Sequence, residues 1–401
     1  MPLHEQAQAL LPELVALRHA LHREPETGLH LPRTREKVLA ALDGLDGRPL
    51  EIHEGKALSS ITAVLRGGRP GPAVLLRGDM DALPLQERSG VPYASRVDGV
   101  MHACGHDLHT TMLAGAAGLL APRASELAGS VVFMFQPGEE GHDGAGAMLA
   151  EGLLDVAGVP VTAAYALHVN ASAPAGLIAS RPGTATVAGS AIRVVLHGRG
   201  GHGSMPHHAA DPVPATAELV TALQNMVTRV TDVFDPVVLS VGVLRAGTAF
   251  NIIPDSAEIG ATLRTCSDHM QNEVIGRIRL LSEHIALAHG LTAEVEVEMG
   301  YPATVNDPAE VALAEKVTTD LFGPGRWLTA PQPTMGSEDF SRVLAAVPGA
   351  FVVLGACPPD TPDPATAAPN HSPRARFDDS VLPVGAALLA GLARARLDGT
   401  S

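Results

Sequence analysis

Aromatic residues are scarce in this chain: one Trp, three Tyr and eight Phe make up 3% of 401 residues. No aromatic cluster marks a pocket, so the shape of a bound group cannot be read from one. Positive charge is short as well, with 28 Lys and Arg against 43 Asp and Glu and a formal net charge of −15. Nucleic acid and anionic membranes demand a basic face, so neither is expected as a partner. Cysteine occurs three times, at Cys104, Cys266 and Cys357. So sparse and odd a set builds no disulfide framework and suits a reducing, cytoplasmic setting. No apolar run reaches the roughly 18 residues of a membrane span. The first 26 residues are patterned as an amphipathic helix with charges throughout, not as a signal peptide.

Against these absences, 46% of residues are hydrophobic and 18% charged, enough to bury a large core. A chain of this length exceeds what one core usually supports, so two domains are expected. Glycine and proline are spread along the chain and mark turns rather than disorder. In the first half, apolar runs at residues 73–77, 130–135 and 163–167 alternate with a helical pattern at 108–120. That alternation predicts an α/β domain with a largely parallel sheet. From about Ala185 the texture changes to β-α-β-β-α-β over about 110 residues, the order of a ferredoxin-like unit. The expected fold class is therefore α/β: a catalytic domain over 1–184 and 300–401, with an α+β, ferredoxin-like domain inserted at 185–299.

Chemistry concentrates in two strings about thirty residues apart. The first, Met101-His102-Ala103-Cys104-Gly105-His106-Asp107, holds a thiol and an imidazole at Cys-x-His spacing. In an extended segment alternate residues point the same way, so both can face one ion. The second, Gln136-Pro137-Gly138-Glu139-Glu140-Gly141, places two carboxylates just beyond an apolar run. Adjacent side chains diverge, which suits one ligand and one proton carrier better than two ligands on one ion. His168 ends another apolar run, His371 sits in Pro369-Asn370-His371-Ser372-Pro373, and Asp81 follows the run at 73–77. Singly, each is an ordinary loop or core residue. Together Cys104, His106, Glu140, His168 and His371 make a mixed S, N and O set large enough for two divalent ions. The glycine-rich stretch Gly198-Arg199-Gly200-Gly201-His202-Gly203 lacks the Lys and Ser/Thr of a P-loop.

The strings RGDMDALPLQE, MHACGHDLHTTMLAGAA, FQPGEEG, ALHV, GRGGHGSMPH, GTAFNIIPDSAEIGATLRT, MGSEDFS and NHSP occur in this order over nearly the whole chain. They resemble the aminoacylase, hippurate hydrolase and indole-acetyl-amino-acid hydrolase branch of the dinuclear-metal amidohydrolase/carboxypeptidase superfamily. The resemblance implies a metallopeptidase-like catalytic domain with an inserted lid, and Cys104, His106, Glu140, His168 and His371 as ligands of two metal ions. It also implies that Glu139 is the general base and that His202 stabilises the oxyanion, often across a subunit boundary. Asn251 and Arg264 would contact substrate, Arg264 as a guanidinium suited to a free carboxylate. Where the wider superfamily has His-x-Asp, this chain reads Asp79-Met80-Asp81, leaving Asp81 to orient ligands. The implied reaction is hydrolysis of an N-acyl-L-amino acid, a small-molecule substrate, by a cytoplasmic homodimer or tetramer. Zinc, manganese, cobalt and nickel all suit the donor set. A dipeptidase or carboxypeptidase, an N-acetyl-diaminopimelate deacetylase, a cysteine-nucleophile amidase built on Cys104 and His106, and a silent binding protein remain alternatives.

Overall fold

The computed structural model describes residues 1–45 and 49–399. The chain folds into two compact units, one comprising Met1–Ala185, Val305–Gln332 and Asp339–Ser401, the other Thr186–Thr304 and Pro333–Glu338.

The larger unit is built on an eight-stranded mixed sheet. Its order runs Glu51–Glu54, Ile61–Arg66, Ala128–Gln136, Arg69–Asp79, Val161–Asn170, Gly349–Gly355, Ile178–Ser180, Trp327–Thr329. The central strands Ala128–Gln136, Arg69–Asp79, Val161–Asn170 and Gly349–Gly355 pair in parallel. Such strands are covered on both faces and carry continuous apolar runs. Val74 and Leu76 accordingly enter one buried cluster while Ala73 and Leu75 enter another on the opposite face. Helices His106–Leu120, Leu11–Arg23 and Leu382–Asp398 pack together over the first face. The helices Gly144–Ala150 and Ser341–Ala346 cover the second, through Met148 and Val343.

Two elements depart from simple patterning. The N-terminal segment is not one helix but two, Leu3–Ala9 and Leu11–Arg23, parted at Leu10. Pro12 has no N–H, and its ring clashes with the carbonyl four residues back, so an unbroken helix cannot pass. The C-terminal stretch Asp379–Asp398 is long and apolar enough to cross a bilayer by length and composition, although no single apolar run suggested it. Its apolar residues pack inside the core, with Leu388, Ala390 and Ala393 fully buried.

The smaller unit carries a four-stranded antiparallel sheet in the order Val237–Ala246, Ser256–Thr265, Ala188–His197, Thr292–Met299. Helices Pro212–Val230 and Asp268–Ala288 cover one face, Leu219 and Leu223 of the first and Val274 and Ile278 of the second meeting Ile192, Val194 and Leu263. Asp211 and Ser267 cap these helices, each side chain accepting an N–H of the first turn. The other sheet face is polar, with Arg193 paired to both Glu258 and Glu296. The unit extends beyond residue 299 and includes Pro333–Glu338, because the Val187 N–H donates to the carbonyls of Thr334 and Gly336. That return of distant chain leaves no mark in local patterning.

Candidate metal centre

Sequence order scatters the donors over 267 positions, from Cys104 to His371, and the sheet gathers them. Asp79 ends one parallel strand and Gln136 the next, with Asp81 and the Glu139-Glu140 pair just beyond. His168 lies near the end of Val161–Asn170, and His371 lies in the chain after Gly349–Gly355. All sit at the carboxyl ends of parallel strands, where open α/β sheets place their sites.

Cys104 and His106 converge, but not along an extended segment. Gly105 adopts a left-handed φ of +86°, and His106 is already the first residue of the helix His106–Leu120. A Cβ at Gly105 would strike Val169 Cγ2, so a larger residue is excluded twice, by space and by φ. Cys104 Sγ lies 3.3 Å from His168 Nε2 and 3.2 Å from His371 Nε2, and His371 Nε2 lies 3.1 Å from Glu140 Oε1. The donor atoms of Cys104, His106 and His168 all fall within 4.8 Å of one another, as do those of Cys104, Glu140 and His371. Cys104 belongs to both groups, so its thiolate would be a ligand for an ion held by either. The carboxylates of Glu139 and Glu140 do not diverge as adjacency suggested; both come within 4.8 Å of His106 and of each other.

The residues present fit metal ions on their own chemistry. Both ring nitrogens of His106 are buried without a directed hydrogen bond. Buried polar atoms left so are costly unless a cation meets them. Burial disfavours a charged Cys104, yet His168 and His106 overcome it and hold the thiol well below its usual range. Burial likewise opposes charge on His106, but Asp79 and Cys104 raise it well above the usual imidazole range. Hydrogen bonds to Cys104 and Glu140 push His371 up to about 10. Opposite charges already crowd this pocket, which is where divalent ions would replace protons. His371 has a φ of +67°, uncommon for a residue with a side chain and characteristic of sites where the surroundings dictate backbone shape.

The supporting layer is as ordered as the donors. Asp81 Oδ1 accepts the Glu139 N–H and Oδ2 the Glu140 N–H, both at 3.0 Å, while Oδ1 stands 3.4 Å from His106 Nδ1. One carboxylate thus fixes the backbone of the Glu pair and faces a candidate ligand. Asp79 Oδ1 meets His109 Nδ1 at 2.6 Å, and His109 Nε2 accepts the Val169 N–H at 2.8 Å. An acceptor at Nε2 requires the proton at Nδ1, and burial, which lowers His109 to about 4, keeps the ring neutral. This bridge ties the helix to the strand bearing His168. Arg77 donates to Asp79, Gln136 and Asp339, and Asp339 also accepts from Gln136 and the Ala145 N–H. Asp107 accepts from Arg18 at 2.7 Å and meets His22 Nδ1 at 2.8 Å, anchoring the residue after His106.

Sequence reasoning assigned no role to His109, Asp107, Asp339 or Asn370. Asn370 donates through Nδ2 to the carbonyls of Cys104 (3.1 Å) and Val169 (2.9 Å), and its Oδ1 accepts the Ala171 N–H. The His371 N–H donates to Ala103 O at 2.9 Å. Three ligand-bearing segments therefore meet at one asparagine. Its only signal in the sequence is its place beside His371.

His202, Asn251 and Arg264 belong to the smaller unit. His202 lies in the two-residue strand Gly201–His202, paired with Ile252–Ile253, and Asn251 immediately precedes that partner strand. The Ser204 N–H donates to His202 Nδ1 at 3.2 Å. A backbone N–H can only donate, so the neutral ring carries its proton on Nε2, ready to be given to an acceptor. Arg264 Nη1 donates to Ser337 Oγ at 3.2 Å, and a Cβ at Gly189 would press on that guanidinium.

A buried thiol, three imidazoles and paired carboxylates at the carboxyl edge of a mixed sheet define a metallohydrolase site. Residues 75–395 match Peptidase family M20/M25/M40, and the chain belongs to that family of hydrolytic enzymes. It is 35% identical over 377 residues to thermostable carboxypeptidase 2 of Saccharolobus solfataricus, covering 93% of this chain and 92% of that one. It is 37% identical over 384 residues to IAA-amino acid hydrolase ILR1-like 2 of Arabidopsis thaliana, covering 95% of this chain and 84% of that protein. Among solved structures, the Bacillus subtilis YXEP protein, a dinuclear metal binding peptidase, superposes with a TM-score of 0.84 at 31% identity, over 98% of this chain and 99% of that one.

Proposed function

We propose that this enzyme hydrolyses N-acyl-L-amino acids to a carboxylic acid and a free amino acid, using two divalent ions held by Cys104, His106, Glu140, His168 and His371. The observation that carries this reading is the Glu139-Glu140 pair, its backbone fixed by Asp81 and both its carboxylates drawn to His106. Glu140 also lies within 4.8 Å of Cys104 and His371, a group that Glu139 does not join, which suits Glu140 to ligation and leaves Glu139 for proton transfer. When bound, the ions would supply the Lewis acidity that activates water and polarises the scissile carbonyl. Glu139 takes the proton of the attacking water and delivers it to the leaving amine nitrogen. His202, protonated on Nε2, donates to the oxygen that gains negative charge. Arg264 pairs with the free carboxylate of the substrate and Asn251 contacts its amide. The chain acts as a homodimer in the cytoplasm, and its three free thiols agree with a reducing compartment.

A second reading, the same chemistry on a C-terminal peptide bond, is favoured by the likeness to a carboxypeptidase. Metal analysis combined with a panel of N-acetyl-, N-benzoyl- and long-chain acyl-amino acids and dipeptides separates the two. Turnover of dipeptides alone would overturn the acyl-amino-acid reading, and full activity in protein stripped of metal would overturn the mechanism.

A further inference from the structure

A cavity of about 320 Å³ opens in the larger unit where the chain around Arg88 meets the chain on either side of His371. Arg88, Arg374 and Arg376 line it, together with the side chains of Ser89, Thr361 and Thr366. Backbone contacts build the wall: the Arg88 N–H donates to Pro373 O at 2.7 Å, and the Arg374 N–H to Ser372 Oγ at 3.2 Å. Arg376 is already held by both oxygens of Asp360, at 2.8 and 3.0 Å, and the Ser89 hydroxyl is donated to Glu87. The guanidinium groups of Arg88 and Arg374 have no carboxylate partner among the described residues, in a chain with 43 acids and only 28 basic residues. Both residues are exposed and line the same recess, where an anion would meet two cations. The guanidinium fork matches the two oxygens of a carboxylate or phosphate.

We propose that this cavity is a second ligand site, separate from the metal centre, that takes a small oxyanion. Arg88 and Arg374 bind its charge, and Pro358 offers an apolar wall to a short carbon skeleton. The two guanidinium groups extend from the loop after Asp81 and from the loop that carries His371, so the bound anion spans both.

The test is calorimetric titration of the metal-loaded enzyme, at low ionic strength so that screening is small, with inorganic phosphate in one arm and malonate in the other. Saturable binding of at least one probe is expected, weakened tenfold or more in the double variant Arg88→Gln/Arg374→Gln, which retains wild-type hydrolysis. A preference for phosphate or for malonate tells which oxyanion the site favours. Arg88→Lys, which keeps the charge but loses the fork, serves as a second variant and is expected to bind more weakly than wild type. No saturable binding of either probe would overturn the proposal. So would binding that survives the double substitution within tenfold, since the anion would then sit on the metal ions.

Discussion

Asp81→Asn tests the central claim of the site, that one carboxylate holds the Glu pair in place. Asp81 accepts two backbone N–H groups, one on each oxygen, both at 3.0 Å. Asparagine offers one oxygen, so one N–H keeps its acceptor while the other faces an NH2 group and two donors collide. A hydrogen bond to a charged group contributes about 1.5–3 kcal/mol. Losing one therefore costs about 2 kcal/mol, roughly a thirtyfold change in an equilibrium or rate constant. Because Asp81 touches the backbone of Glu139 and Glu140 and stands beside His106, the loss divides between metal affinity and turnover. The expected outcome is a ten- to hundredfold fall in kcat/KM with little change in KM, the range typical of residues supporting metal ligands. Asp81→Ala, which removes both acceptors, should fall further. Steady-state hydrolysis of the best panel substrate at saturating metal measures the first quantity, and titration in a chelator-buffered metal series the second. If Asp81→Asn matched wild type within twofold in both, the clamp would not position the pair and the reasoning would fail.

Glu139→Gln should lower kcat by about 10² to 10⁴ with metal content unchanged, whereas Ala at Cys104, His106, Glu140, His168 or His371 should lower metal stoichiometry as well; elemental analysis beside kinetics separates the groups, and two ions per chain in a ligand variant would strike that residue from the set. Asn370→Ala removes the hydrogen bonds that join three ligand-bearing segments, and metal affinity should drop about 10- to 100-fold; unchanged affinity would reduce Asn370 to loop packing. In mixed dimers of His202→Ala and Glu139→Ala chains, activity should return if His202 acts across the subunit boundary, while no recovery in dimers confirmed by mass would place it in the same chain's site. Burial lowers His102 to about 3 and His109 to about 4 from a usual value near 6.5. Their folded pKa values lie below the unfolded ones, so the stabilisation is full above about pH 6.5 and declines as pH falls, because the unfolded chain takes up protons that the folded chain does not. Urea unfolding of the metal-free protein between pH 5.5 and pH 4.5, below the range where the raised His106, His168 and His371 contribute the opposite slope, should show a slope of about 1.4 kcal/mol per pH unit for each group, reduced in His102→Leu; a flat profile would contradict it.

Much of this architecture was legible in the sequence because its signals are local. Continuous apolar runs announced strands buried on both faces, and the change of texture near Ala185 announced a second kind of sheet. The metal-binding strings stand just past those runs because parallel strands deliver their carboxyl ends to one edge. Other features arise from a single residue that breaks a pattern or from packing. The helix break at Leu10 follows from Pro12, two residues inside an amphipathic pattern that otherwise runs unbroken. The inclusion of Pro333–Glu338 in the smaller unit follows from hydrogen bonds to Val187, a separation along the chain that no periodicity records.

Residue identities, in order and spacing, determined that this chain carries a thiol, imidazoles and paired carboxylates, and that they fall at strand ends. Tertiary structure decided how those groups meet. It turned the Cys104–His106 segment through a left-handed glycine rather than an extended run, and it brought both carboxylates of the Glu pair to His106. It also gave His109 and Asn370 their positioning roles, and gave Asp81, whose orienting role the resemblance implied, its two backbone partners. The physical reason is that a donor's type is a property of its own residue, whereas its direction and charge state depend on what lies within a few ångströms. For this site those neighbours come from segments hundreds of residues apart.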